Sequence, residues 1–179
     1  MAAMRKDLFI HFCFWFAFFV LISIIGGNLS SEYWPFWLGG VIGTVLPDVD
    51  HLIYILFLNP QELTSQRFNY LLRKKAIGRA GTLLTETKNE RKEMIFHSFF
   101  FQIIFFLLTL FVVSSTSSIF VYGIVLAFSL HFLADQVIDM VELKTLENWG
   151  KLFSSDLDKH QSIIYISVLF FLLFLMGVL

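Results

Sequence analysis

Two short groupings in this sequence have the residue types and spacing of a metal-binding site. His131-x-x-x-Asp135 is an i, i+4 pair, so on a helix both side chains leave one face about one turn apart and can hold one ion or two adjacent ions. Leu46-Pro47-Asp48-Val49-Asp50-His51 places two acids and a His directly after a proline, which frees a backbone carbonyl and lets a helix bend or unwind. A carboxylate pair with one imidazole suits Zn²⁺, and Mn²⁺ or Mg²⁺ are possible alternatives. His97 and His11 complete the set of candidate metal ligands: His11, Asp48, Asp50, His51, His97, His131 and Asp135. Asp50 and Asp135 are also the candidate bases toward a metal-activated water.

The elements that must position these groups are apolar helices. The chain is 57% apolar and 18% aromatic, with a mean hydropathy of +0.74, well beyond the ~45–50% apolar usage of soluble domains. Apolar stretches at Leu8–Ile25, Phe36–Leu58, Met94–Val113, Ile119–Ile138 and Ser162–Leu179 each approach the ~20 residues that span ~30 Å of hydrocarbon. The expected fold is an all-α polytopic membrane bundle of about five transmembrane helices, a single domain over residues 1–179. The first stretch contains His11, Trp15 and several Phe residues and has no small-residue cleavage site, so it reads as a retained helix rather than a signal peptide. The lone Cys13 excludes an intramolecular disulfide.

Charge sets the expected orientation. With the N-terminus inside, Arg5, Lys6, every Lys and Arg between Asn59 and Glu93, and Lys144, Lys151 and Lys159 are cytoplasmic, which accounts for all 13 basic residues. The loops around Gly26–Pro35 and Ser114–Ser118 carry none, so the topology reads N-in and C-out in the cell inner membrane, with Tyr33, Trp34 and Trp37 as an outer aromatic belt. In that topology all seven candidate ligands fall in the cytoplasmic half. Ionisable groups at membrane depth cost several kcal/mol unless paired. No Lys or Arg lies among them within the spans, which makes a bound cation the simplest partner. Gly39, Gly43, Pro47 and His51 recur every four residues, leaving a stripe nearly bare of side chain on which a partner helix can approach closely. Gln102 and Ser129 read as hydrogen-bonding glue between helices, and His160 as a solvated residue at the water boundary.

Gly43-Thr44-Val45-Leu46-Pro47-Asp48-Val49-Asp50-His51, then Phe96-His97-Ser98, then Ser129-Leu130-His131-Phe132-Leu133-Ala134-Asp135, with His11 near the start, resembles the LexA-regulated, membrane-bound metal-dependent hydrolase family (YdjM-like). The resemblance covers roughly residues 8–140. That family's pattern is an N-terminal His, "LPDxDH", "HRGxTHS" and "HxxxD", and it is distantly similar to zinc-dependent phospholipase C. The resemblance implies that Asp48, Asp50, His51, His97, His131 and Asp135 are metal ligands and that the activity is a metal-dependent hydrolysis. Where the family has the His and Arg of "HRGxTHS", this chain has Lys92 and Glu93. Glu93 could substitute as a ligand, and Arg91, one position displaced, could recover a phosphate contact.

The long segment Asn59–Glu93 sets Phe68, Leu71 and Leu72 beside Arg67, Arg73, Lys74 and Lys75, a basic amphipathic pattern able to lie on anionic headgroups and bring phospholipid to the site. Arg73, Lys74 and Arg91 are thus the candidate substrate-binding residues. Leu143–Phe153, with Trp149, reads as a second interfacial segment. One short basic cluster is too little for nucleic acid. Three functions fit the sequence: a metal-dependent hydrolase of phosphoester or lipid-linked substrates, a non-catalytic membrane subunit whose partners are other membrane chains, and an ion or proton pathway. The last is disfavoured, because no charged residue continues the path through the outer half.

Overall fold

A computed structural model of the chain describes residues 2–91, 94–150 and 157–179, and every regular element among them is helical. The elements in order are α1 (Ala2–Ile25), α2 (Trp34–Val45), a 3₁₀ turn at Leu46–Asp48, α3 (Val49–Ile53), a π-helical turn at Tyr54–Leu58, α4 (Leu63–Arg73), α5 (Ile77–Glu86), a 3₁₀ turn at Lys88–Glu90, α6 (Phe99–Ser115), α7 (Ile119–Glu142) and α8 (Lys159–Val178). Among the described residues, four segments are long and apolar enough to cross a membrane: Leu8–Ile25, Ser31–Leu58, Ile119–Glu142 and Lys159–Val178. Their outward faces carry exposed Phe9, Phe16, Phe57 and Phe171, as expected of helices solvated by lipid.

The third expected span is the exception. α6 has 17 residues and begins at Phe99 rather than Met94. Its late start has a specific cause: the backbone N–H groups of Ile95, Phe96 and His97 donate to the Asp50 carboxylate instead of to a helical ladder, and Ser98 then caps the helix through Phe101 N. α8 begins earlier than expected, because Asp158 and Gln161 form a reciprocal capping box.

α7 is the spine, buried along most of its length between the other helices. It crosses α2 at backbone contact. A Cβ on Gly39 would lie 2.2 Å from the Phe120 carbonyl oxygen, one on Gly43 2.4 Å from that of Ile124, and one on Gly123 2.2 Å from that of Phe36. The small-residue stripe expected from the sequence therefore meets a partner helix of the same chain. An aromatic core of Phe18, Phe19, Phe36 and Phe106 fills the bundle away from the ionisable groups. α6, α7 and α8 are tied by a reciprocal amide pair between Gln102 and Gln136, with Tyr165 donating to Gln102 Oε1 at 2.8 Å, and by a Thr109–Ser129 hydroxyl pair at 2.9 Å.

α4 and α5 form a hairpin over one end of the bundle. Phe68 is buried with Tyr54, Ile55, Ala80 and Met94, and Leu71, Leu83 and Leu84 pack on them. Much of the apolar face that the sequence assigned to headgroups is thus spent on the protein's own core, since Tyr54 and Ile55 present a nearer apolar surface. Leu72 and Ile77 remain exposed. Trp149 also departs from expectation: instead of lying at an interface it is buried, its Nε1–H donating to Asp139 Oδ2 at 2.8 Å. The expectations for Lys92, Glu93 and residues 151–153 fall outside the described residues.

Candidate metal centre

The interruption at Pro47 organises the site. Proline contributes no N–H, and residues Leu46–Asp48 tighten into a 3₁₀ turn before the helix resumes at Val49. At this break the Thr44 carbonyl accepts a hydrogen bond from another helix: His131 Nδ1–H donates to it at 2.7 Å. A carbonyl can only accept, so Nδ1 carries the proton of this bond and Nε2 is the ring nitrogen turned toward the cluster. That Nε2 is buried, lies 3.0 Å from Asp135 Oδ2 and 3.6 Å from Asp48 Oδ1, and makes no hydrogen bond. Proximity without hydrogen-bond geometry is the arrangement of two donors aimed at a common third point.

Asp135 is the hub. Its Oδ2 faces His131 Nε2 and His97 Nε2, the latter at 3.1 Å, and its Oδ1 faces His11 Nε2 at 3.4 Å and the Lys88 ammonium. The His11 ring stacks on that of His131 with centroids 4.2 Å apart. His11, His131 and Asp135 offer ligand atoms that all lie within 4.8 Å of one another, all three residues buried, and so could hold a metal ion.

The remaining candidates surround this trio in different ways. Asp50 is fully buried and accepts from three backbone N–H groups, at 2.6 Å from Phe96, 3.2 Å from His97 and 3.3 Å from Ile95. His97 Nδ1 faces the same carboxylate at 3.2 Å, which turns Nε2 toward Asp135. Asp50 thereby fixes both the backbone before α6 and the orientation of an imidazole, as carboxylates behind metal-bound histidines do. Asn at this position keeps the shape and loses the charge on which these bonds converge. Asp50→Asn is expected to lower stability by about 3 kcal/mol, read by thermal unfolding in detergent. Asp48 is half-buried at the edge of the cluster, its Oδ1 3.6 Å from His131 Nε2. His51 stacks on His97 with centroids 5.1 Å apart, and its Nδ1 accepts from Arg91 Nε at 3.2 Å.

Comparison with protein-family models, with curated proteins and with solved structures finds no match for this chain. The site is therefore read from its own geometry.

Two cations that the sequence analysis did not place in the cluster are part of it. Lys88, on the turn after α5, pairs with Asp135, so a counter-ion reaches the spans from the connecting segment. Arg91 is buried. Besides His51, it donates to Thr87 Oγ1 at 3.0 Å and to the Leu84 carbonyl, so its guanidinium is committed to protein groups. Burial pulls it down from its ordinary 12.5 to about 10, which leaves it charged at neutral pH. Arg73 and Lys74 are exposed at the end of α4. Lys74 rests 5.8 Å from the Tyr70 ring centroid, and neither residue joins the cluster.

Lys88, Arg91, Met94, His97, Asp135, Asp139, Asn148 and Trp149 line a cavity of about 20 Å³. A volume of ~10–15 Å³ already accepts a water, so a water-sized group fits beside His97 and Asp135. Asp139 was missed by the sequence analysis, although it stands one more i+4 step along α7 from His131 and Asp135 and shares their face. Lys88 carried no local signal.

Proposed function

We propose that this chain is a multi-pass protein of the cell inner membrane, oriented N-in and C-out, that acts as a metal-dependent hydrolase on a phosphoester or lipid-linked substrate. The observation that carries this reading is the buried His11, His131 and Asp135 trio, with His131 Nε2 turned inward by the Thr44 carbonyl. The donor set fits a divalent cation, zinc before manganese or magnesium because imidazole nitrogens lead it. His11 Nε2, His131 Nε2 and Asp135 would hold the ion, with His97 Nε2 adjoining. A bound divalent cation supplies a water of lowered pKa and polarises a phosphoryl oxygen.

The chain's own groups divide the remaining work. Asp50 holds His97 in register, and the Thr44 carbonyl holds His131. Asp139, anchored by Trp149 and lining the adjacent cavity, stands where a carboxylate can take a proton from a water held there. The α4–α5 hairpin closes one side and excludes bulk water. Its exposed basic residues Arg73 and Lys74 face outward, where anionic phospholipid headgroups would meet them on the cytoplasmic side. Resemblance of the LPDVDH, HS and HFLAD segments to the YdjM-like hydrolases supports the same reaction class.

The test is elemental analysis of detergent-purified wild type and of His11→Ala/His131→Ala, followed by hydrolysis assays on phosphomonoester and phospholipid panels. Near-stoichiometric metal in wild type, its loss in the double variant, and a fall in hydrolysis of about 100-fold or more support the reading. Metal-free wild type without hydrolysis would sink it. A second reading, a non-catalytic subunit with a vestigial site, draws on the Lys88 and Arg91 contacts, which place cations where Asp135 and His51 would otherwise meet a metal.

A further inference from the structure

The turn Lys88–Glu90 delivers a cation into the cluster from outside the spans. Lys88 Nζ contacts Asp135 Oδ1, the oxygen that also faces His11 Nε2 at 3.4 Å. Three residues later, Arg91 Nε occupies the Nδ1 lone pair of His51. The turn is fixed at both ends, because Glu90 N donates to the Thr87 carbonyl at 3.1 Å and Arg91 N to the Lys88 carbonyl at 3.2 Å. The two side chains therefore enter together. Asp50 and Asp135 are buried carboxylates of the cluster and Asp139 lines the cavity beside them, so Lys88 and Arg91 offset part of this negative charge before any ion is added. The Lys88 side chain is 18% exposed, so its ammonium reaches Asp135 from the rim rather than from the centre. A lysine stem has four rotatable bonds and can withdraw to water without unfolding a helix.

Given the metal reading above, we propose that Lys88 is a built-in cation that competes with the divalent metal for Asp135. An ammonium in contact with Asp135 Oδ1 and a divalent ion on the same carboxylate repel one another strongly in a poorly screened interior, so binding of one weakens the other. Metal affinity is held down by the lysine, and metal loading turns the Lys88 side chain out to the cavity mouth. There it can meet an anionic group of the substrate.

Equilibrium dialysis of zinc and manganese against chelator-treated, detergent-purified wild type, Lys88→Met and Lys88→Arg tests this. Lys88→Met, which keeps the stem and removes the charge, should bind metal about tenfold more tightly or better, while Lys88→Arg stays near wild type. Amine labelling of wild type, read residue by residue by mass spectrometry, needs no variant: Lys88 modification should rise several-fold when zinc is added, with Lys74 and Lys75 unchanged. Equal or weaker metal binding in Lys88→Met than in a metal-binding wild type, or Lys88 labelling indifferent to zinc, overturns the competition and leaves the hydrolase reading standing. Metal binding by Lys88→Met alone supports the competition and overturns a resident metal in the wild type. No binding by any of the three overturns both.

Discussion

Asp135→Asn is expected to abolish stoichiometric metal binding and to cost the fold about 3–5 kcal/mol, the range measured when one partner of a buried ion pair is removed. Among the described residues, His11, His97, His131 and Lys88 converge on this carboxylate. Asparagine matches its shape, so no cavity opens and packing is not the cause of the loss. What disappears is the charge. The Lys88 ammonium is left against a neutral amide, and the trio His11, His131 and Asp135 loses its anionic ligand. Affinity for zinc should fall about 100-fold or more, since replacing even a residue behind a ligand costs 10–100-fold. The stability loss has its own signature. In Asp135→Asn/Lys88→Met neither charge remains, so much of the loss should be recovered while metal binding stays absent. Thermal melts in detergent with and without chelator, beside elemental analysis, separate the two effects. Asp135→Asn with wild-type metal content and melting temperature would falsify the hub role.

Parts of this site can be read from sequence because ionisable residues stand out against apolar helices. His11, Asp50, His51, His97, His131 and Asp135 are all buried in one cluster, drawn from four separate segments of the chain. The break at Pro47 and the glycine stripe were equally visible, since each is a local property of residue type. Local pattern did not separate Asp48 from Asp50. Two residues apart on a helical path they point to nearly opposite sides, and only packing decides which is inward. Asp50 is the buried one, and its partners are the backbone N–H groups of residues 95–97, far away in sequence. That long-range capture also shortened α6, which hydropathy alone extended back to Met94. Lys88 and Arg91 were assigned to topology and to phosphate because a basic residue in a connecting loop is usually solvated. Their entry into the cluster depends on how the α4–α5 hairpin folds back on Tyr54 and Ile55, and no short-range pattern encodes that return.

Gly123→Leu is expected to prevent assembly of the bundle, and Gly123→Ala alone should destabilise it by about 3 kcal/mol or more. The reason is what a new Cβ would meet. At Gly123 it would lie 2.2 Å from the Phe36 carbonyl oxygen and 3.1 Å from the Gly40 nitrogen, both backbone atoms of α2. No rotamer change relieves a clash with backbone, so the helices must separate. Separation is costly here beyond the crossing itself. The 2.7 Å bond from His131 Nδ1 to the Thr44 carbonyl spans the same pair of helices, and it is this bond that turns His131 Nε2 toward Asp135. A variant that still folds with α2 and α7 moved apart should therefore lose metal along with stability, although residue 123 lies two turns from His131. Gly78→Ala is the matched control: it lies in α5, a Cβ there meets nothing within 4 Å, and alanine favours a helix over glycine by about 1 kcal/mol. It should melt at or slightly above the wild-type temperature with its metal retained. Equal melting temperatures and metal contents for Gly123→Ala and Gly78→Ala would mean that close backbone contact between α2 and α7 does not set the geometry of the site.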